Sequence, residues 1–156
     1  MSRPRRISLL FLAALLAACT RVPDYAAFVS LPTDGWDKAV PAVFTVDTLP
    51  PGRYALRVAV RSSEAHSYPY RELALLLHQE WGTDSLSRDT LIRLTLFDRK
   101  GDPAGRGLSL HEHEAAAGYV ALSDSAAGRI VVAHHMRDLS KVQGIAALGL
   151  VLTREE

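Results

Sequence analysis

Residues Arg53 to Arg61 read RYALRVAVR. Tyr54, Leu56, Val58 and Val60 recur every second position, and Arg53, Arg57 and Arg61 fall in the other set. Period-2 alternation of this kind predicts a strand with one face in an apolar core and one in water. The same alternation, less clean, extends outward to Val40–Asp47, Glu72–His78, Asp89–Asp98, Gly118–Leu122, Arg129–Met136 and Gly144–Thr153. Leu73–Leu77 and Ile145–Leu152 are nearly continuous apolar runs, which fit central strands buried on both faces or short helices. Leu108–Ala117 reads equally as a helical turn or a strand entering a loop, and Asp138–Gln143 as a short helical connection.

The punctuation between these segments favours strands. Pro50-Pro51-Gly52, Trp81-Gly82-Thr83-Asp84-Ser85, Lys100-Gly101-Asp102-Pro103, Gly105-Arg106-Gly107 and Ser123-Asp124-Ser125 are turn-forming clusters at short intervals. Seven or eight short strands separated by such turns predict an all-β fold, an antiparallel β-sandwich of jelly-roll type.

The first 18 residues read differently. Arg3, Arg5 and Arg6 precede an apolar run from Ile7 to Ala18, the charge-then-apolar order of a secretory signal peptide. The run is shorter than the roughly 20 residues a spanning helix needs. It ends in Leu16-Ala17-Ala18-Cys19, which resembles the lipobox of bacterial lipoproteins. That resemblance implies cleavage before Cys19 and acylation of Cys19, the only cysteine of the chain. Two or three acyl chains would anchor the protein stably where a single chain binds marginally. The expected organisation is a signal peptide over 1–18, a lipidated tether over 19–24, and one sandwich domain over 25–156. Thr20, rather than Asp, after the cysteine favours the outer membrane on its periplasmic side over the inner membrane.

Processing also changes the charge. The 156-residue chain has 18 Lys and Arg against 17 Asp and Glu, a formal +1; removing residues 1–18 takes three Arg and no acid, and leaves −2. A mature chain so close to neutral lacks the field that holds a phosphate backbone, which argues against a nucleic-acid partner. With one cysteine there is no intrachain disulfide and no thiolate metal site.

Candidate chemistry is sparse. His111 and His113, two apart on a strand, share a face and could bind a metal; of His134 and His135, only one could join them. Surface or half-buried strand histidines explain both pairs without a metal, and no metal site or cofactor is expected. No Gly-x-Ser-x-Gly elbow occurs, and Ser62, Ser63 and Ser123 stand in turn-like contexts. Asp89, Asp98, Glu112 and Glu114 could form paired carboxylates, but acids at strand ends are commonly turn formers. The expectation is therefore a protein without a catalytic site. Among the aromatic residues Trp36, Tyr68, Tyr70 and Trp81, the run Tyr68-Pro69-Tyr70 beside Arg71-Glu72 could stack sugar rings, and Trp36, Tyr68 and Tyr70 form the candidate ligand or partner surface. The alternative is that these rings cap the ends of the core with their polar tips in water.

An ordered series of short motifs runs through the chain. It comprises Gly35-Trp36-Asp37-Lys38 with Pro41 and Phe44, then Arg53-Tyr54 and the strand to Arg61, then Tyr68-Pro69-Tyr70-x-x-Leu73 and Asp89-Thr90. Asp98-x-x-Gly101 with Gly105 and Gly107, His134-x-Met136-Arg137, and Gly144-Ile145-x-x-x-Gly149-Leu150 complete it. In order and spacing, from about Tyr25 to Leu152, this series resembles the GldH family of gliding motility lipoproteins. Two departures are Asp102-Pro103-Ala104, where the family usually has an aromatic residue, and Ala147-Leu148, where it often has Asp-Val. The resemblance implies a membrane-anchored, noncatalytic envelope lipoprotein that works with the gliding machinery and its associated protein-secretion system. Its implied partners are envelope proteins of that machinery, and the oligomeric state is left open. A carbohydrate- or cell-wall-binding jelly-roll module is the alternative function.

Overall fold

The computed structural model describes residues 22–63, 68–82 and 86–156. Cys19, and the segment 1–18 expected to be a signal peptide, lie outside the described residues. The order is β1 (Tyr25–Ser30), β2 (Trp36–Asp37), β3 (Ala42–Leu49), β4 (Gly52–Ser63), β5 (Glu72–Trp81), β6 (Leu86–Thr95), β7 (Leu110–Leu122), β8 (Ala126–His134), β9 (Lys141–Val142) and β10 (Ile145–Glu155). Two four-stranded sheets, β1-β10-β4-β7 and β3-β8-β5-β6, carry the fold, and β2-β9 form a small ribbon. Every named pairing is antiparallel. With the ribbon set aside, the first long strand pairs with the last, the second with the second-last, and so inward to the β5-β6 hairpin. This is the winding of a jelly roll, two Greek keys in two sheets. The fold is all-β, as the sequence predicts.

The core lies between the sheets and follows the alternation. Tyr54, Leu56, Val58 and Val60 of β4 face Leu73, Leu75 and Leu77 of β5, with Phe44, Ile130, Leu148, Leu150 and Leu152 around them, all buried. Burying each such side chain contributes roughly 1.5–3 kcal/mol.

Three expectations are corrected. Leu73–Leu77 is not buried on both faces: Leu76 is 37% exposed, because no third layer covers the outside of the β3-β8-β5-β6 sheet. Ile145–Leu152 is a central strand, but its outer residues Ala147 and Val151 are only half-buried, and Gly149 lies under the ring of Phe28. Asp138–Gln143 is not helical; it is a turn, with Asp138 in the left-handed region at φ 60°, that leads into β9. A short polar side chain lets aspartate adopt that conformation more readily than most residues.

Candidate functional site

The expected surface residues gather at one end of the sandwich, where β4, β6 and β8 finish and β5 and β10 begin. Trp36, in the β2-β9 ribbon, is 1% exposed; its indole Nε1–H donates to the Val40 carbonyl at 3.0 Å, and its ring meets that of His134 edge to face at 5.5 Å. Tyr68 is also buried, with its hydroxyl donating to the Glu72 carbonyl at 2.5 Å and lying 3.7 Å from the Met136 sulfur. Burial first, then the neighbouring Tyr70 and Glu72, pushes the Tyr68 phenol well above its usual range. Tyr70 stands edge to face on Tyr68 at 5.6 Å and is 41% exposed. Trp36 and Tyr68 are thus floor, with their polar tips tied to backbone carbonyls, and Tyr70 is the exposed ring. Trp81 is buried toward the opposite end, bonded through Nε1–H to Gln79 Oε1 at 2.8 Å.

The histidines divide. His111 and His113 share the inward face of β7, and His113 Nε2 lies 2.9 Å from Ser62 Oγ. Burial, then the neighbouring His111, holds His113 below the usual imidazole pKa. His134 also points inward, and burial lowers its pKa too. His135, its neighbour, faces out. Among the described residues no three His, Cys, Asp or Glu side chains are grouped to hold a metal ion. The carboxylates proposed from sequence each have a local task. Asp98 accepts backbone N–H groups from Lys100 and Asp102, Asp89 contacts His78, and Glu112 and Glu114 pair with Arg61 and Arg57.

Beside the Tyr68–Met136 floor lies a groove of about 740 Å³ that the sequence did not single out. Strand geometry builds it in rows. Ala74 of β5 pairs with Arg93 of β6, and the N–H of His135 continues the ladder past β8 by donating to the Ala74 carbonyl at 2.7 Å. One residue row therefore puts Arg93, Ala74 and His135 side by side on the outer face. The next outward row is apolar: Leu91, Leu76 and Ala133. Lys38, Arg137 and Asp138 close the groove, with Lys38 Nζ 3.5 Å from the Met136 carbonyl. Three cationic side chains, Lys38, Arg93 and Arg137, thus face one acid. Among the described residues neither Arg93 nor Arg137 makes an ion pair.

The opposite face of the sandwich is built otherwise. Arg53, Arg57 and Arg61 project from β4 and pair with Glu155, Glu114 and Glu112 on the flanking strands. Arg61 also lies 3.9 Å over the Phe28 ring and Arg53 3.6 Å over Tyr119. That face neutralises itself; the groove does not.

The groove unites motifs far apart in sequence. Gly35-Trp36-Asp37-Lys38, Tyr68-Pro69-Tyr70 and His134-x-Met136-Arg137 meet through the Trp36–His134, Tyr68–Met136 and Lys38–Met136 contacts. The signal was in those motifs: each has an inward residue that ties the end together, and two also carry an outward base.

Solved structures similar to the chain share little sequence with it. They include the CBM35 from Cellvibrio japonicus Abf62 (TM-score 0.36, 11% identity, 85% of this chain and 99% of that one). The Eiger TNF from S. frugiperda gives 0.30 and 18% over 84% of this chain and 88% of that one. The infectious bursal disease virus VP2 subviral particle gives 0.33 and 11% over 84% of this chain and 30% of that one. Among the curated proteins none matches the chain. The model of the GldH lipoprotein family matches residues 24–152, nearly all of the sandwich that these motifs hold together, and the chain belongs to that family.

Proposed function

We propose that the chain is a noncatalytic lipoprotein of the cell envelope that helps assemble or stabilise the gliding motility machinery and its associated protein-secretion system. The observation that carries this reading is membership in the GldH lipoprotein family across residues 24–152. Family membership supports a lipid-anchored location at the envelope. In this reading the anchor is Cys19, five positions before Asp24, and the membrane is the outer one, on its periplasmic side. Tethering confines the sandwich to a membrane face and raises its effective concentration for partners there. A noncatalytic role is supported by the burial of Ser62 against His113: the hydroxyl that could be activated is only 1% exposed, out of a substrate's reach.

Deleting the gene in its own organism tests the proposal. Surface-protein secretion and colony spreading both fall if it is right, and both stay intact if it is wrong. A carbohydrate- or cell-wall-binding module is the second reading, and it rests on the exposed ring of Tyr70. Binding on a glycan array that is lost with Tyr70→Ala would favour it.

A further inference from the structure

We infer that the outer face of the β3-β8-β5-β6 sheet, from the apolar row of Leu76 and Leu91 to the basic groove of Arg93 and Arg137, docks an acidic, partly apolar segment of a partner protein. Three observations lead there. Leu91 is 50% exposed, Leu76 37% and Val43 42%, and cross-strand pairing places Leu76 directly beside Leu91. Isolated exposed leucines are ordinary, but a contiguous apolar row bordered by charge marks an interaction surface. The bordering charge is one-sided in the groove, where Lys38, Arg93 and Arg137 face Asp138 alone among the lining residues.

Beyond the apolar row the same face returns to neutrality. His78 Nδ1 lies 2.5 Å from Asp89 Oδ1 and its Nε2 3.2 Å from Glu80, which also sits 3.9 Å from Arg129. The opposite sheet pairs Arg53, Arg57 and Arg61 with glutamates. In the groove, positive charge without an ion pair thus lies directly beside the exposed Leu76–Leu91 row, and its complement is an anionic segment with apolar side chains.

The position of Asp24, five residues after the proposed anchor Cys19, favours a protein over a lipid surface, and this step rests on the lipid anchor proposed above. Asp24 is fixed at the opposite end of the sandwich, its N–H donating to Leu152 and its carboxylate accepting from the Arg154 N–H. From the Leu152 level to the Ile145 level is seven residues of β10, about 23 Å of strand. Attraction to lipid headgroups fades over a Debye length of about 8–10 Å. An anchor at that end puts the groove at the far end of the sandwich from the point of tethering, which favours a protein over the headgroups of its own membrane.

Photocrosslinking in the full lipidated chain, expressed in its own organism, tests this. Benzoylphenylalanine replaces Leu91 in one strain and Tyr119, on the opposite sheet, in another. The expected result is a protein adduct from position 91 whose crosslinked peptide carries net negative charge. Arg93→Glu with Arg137→Glu reduces it at least tenfold, Arg93→Lys with Arg137→Lys retains it, and position 119 gives none. A lipid adduct at 91, a neutral or basic crosslinked peptide, an adduct indifferent to charge reversal, or no adduct overturns the inference. Fractionating the same cells reports on the anchor separately: chain found in the soluble fraction with the acidic adduct intact removes the anchor and leaves the docking surface standing.

Discussion

Trp36 and His134, brought together from near opposite ends of the chain, pack edge to face at 5.5 Å with both rings buried, and this contact joins the β2-β9 ribbon to the end of β8. Trp36→Ala is expected to destabilise by about 3–5 kcal/mol, because it empties a large buried volume. Trp36→Phe, which loses the hydrogen bond to Val40 but keeps most of the packing, costs less. In a double-mutant cycle with His134→Ala, urea unfolding reads a coupling of about 0.5–1.5 kcal/mol. Additive single mutants contradict the contact.

Phe28 and Gly149 are directly opposite on β1 and β10, and a Cβ at Gly149 would lie 2.5 Å from the Phe28 ring. The Phe28 ring, 41% exposed on the edge strand, would have to swing aside to admit that Cβ. Gly149→Ala should cost about 1 kcal/mol, at the low end of overpacking, because the exposed ring can give way. Adding Phe28→Ala removes the clash, so the second substitution costs less in the alanine background than in the parent. Calorimetric midpoints of the four proteins decide it.

Acid weakens the fold through His113 and His134. Burial holds both below the unfolded imidazole value near 6.5. Between the folded and unfolded values the unfolded chain binds more protons, so their contribution is complete above about pH 6.5 and is lost as pH falls below it. His78 acts in the opposite sense, since Asp89 and then Glu80 raise its pKa, but that pair is exposed and contributes little. The urea midpoint should therefore drop from pH 7.5 to pH 5, and drop less in His134→Phe. A midpoint that rises toward pH 5 contradicts this account.

Tyr68 and Tyr70 are adjacent in the motif but unequal in the fold. Tyr68→Phe removes a buried hydroxyl bonded to the Glu72 carbonyl and leaves that acceptor without it, an expected loss of about 1–3 kcal/mol. Tyr70→Ala, at the exposed ring, should fall within about 0.5 kcal/mol of the parent. Equal losses in chemical denaturation would show that the two rings share one environment.

The strands with unbroken alternation were legible, and β4 from Arg53 to Arg61 is the clearest: one residue pattern names both its buried and its paired faces. β7 was not, for a geometric reason. Arg57 pairs with Ala116 but Ala55 with Tyr119, so Ala117 and Gly118 together oppose Leu56 in a bulge, with Gly118 at φ 93°. Inward positions run His111 and His113 before the bulge, Ala117 within it, and Val120 and Leu122 after it, so the alternation changes phase mid-strand. A period-2 reading splits such a strand in two. The groove was hidden for a different reason: Lys38, Arg93 and Arg137 are single surface bases in sequence, and only the jelly-roll winding puts their strand ends together. The aromatic surface was half legible, because sequence marks Trp36 and Tyr68 as amphipathic and burial depends on long-range contacts with His134 and Met136.

In the proposed role, a lipid-anchored sandwich serves the gliding and secretion machinery from the membrane. Complementing a deletion strain with Cys19→Ser, exported by an unlipidated signal peptide and matched in abundance to wild type, tests it most directly through the amount of surface protein secreted. Wild type is expected to restore secretion and Cys19→Ser is not. Full restoration by Cys19→Ser, or secretion undiminished in the deletion strain, would contradict it.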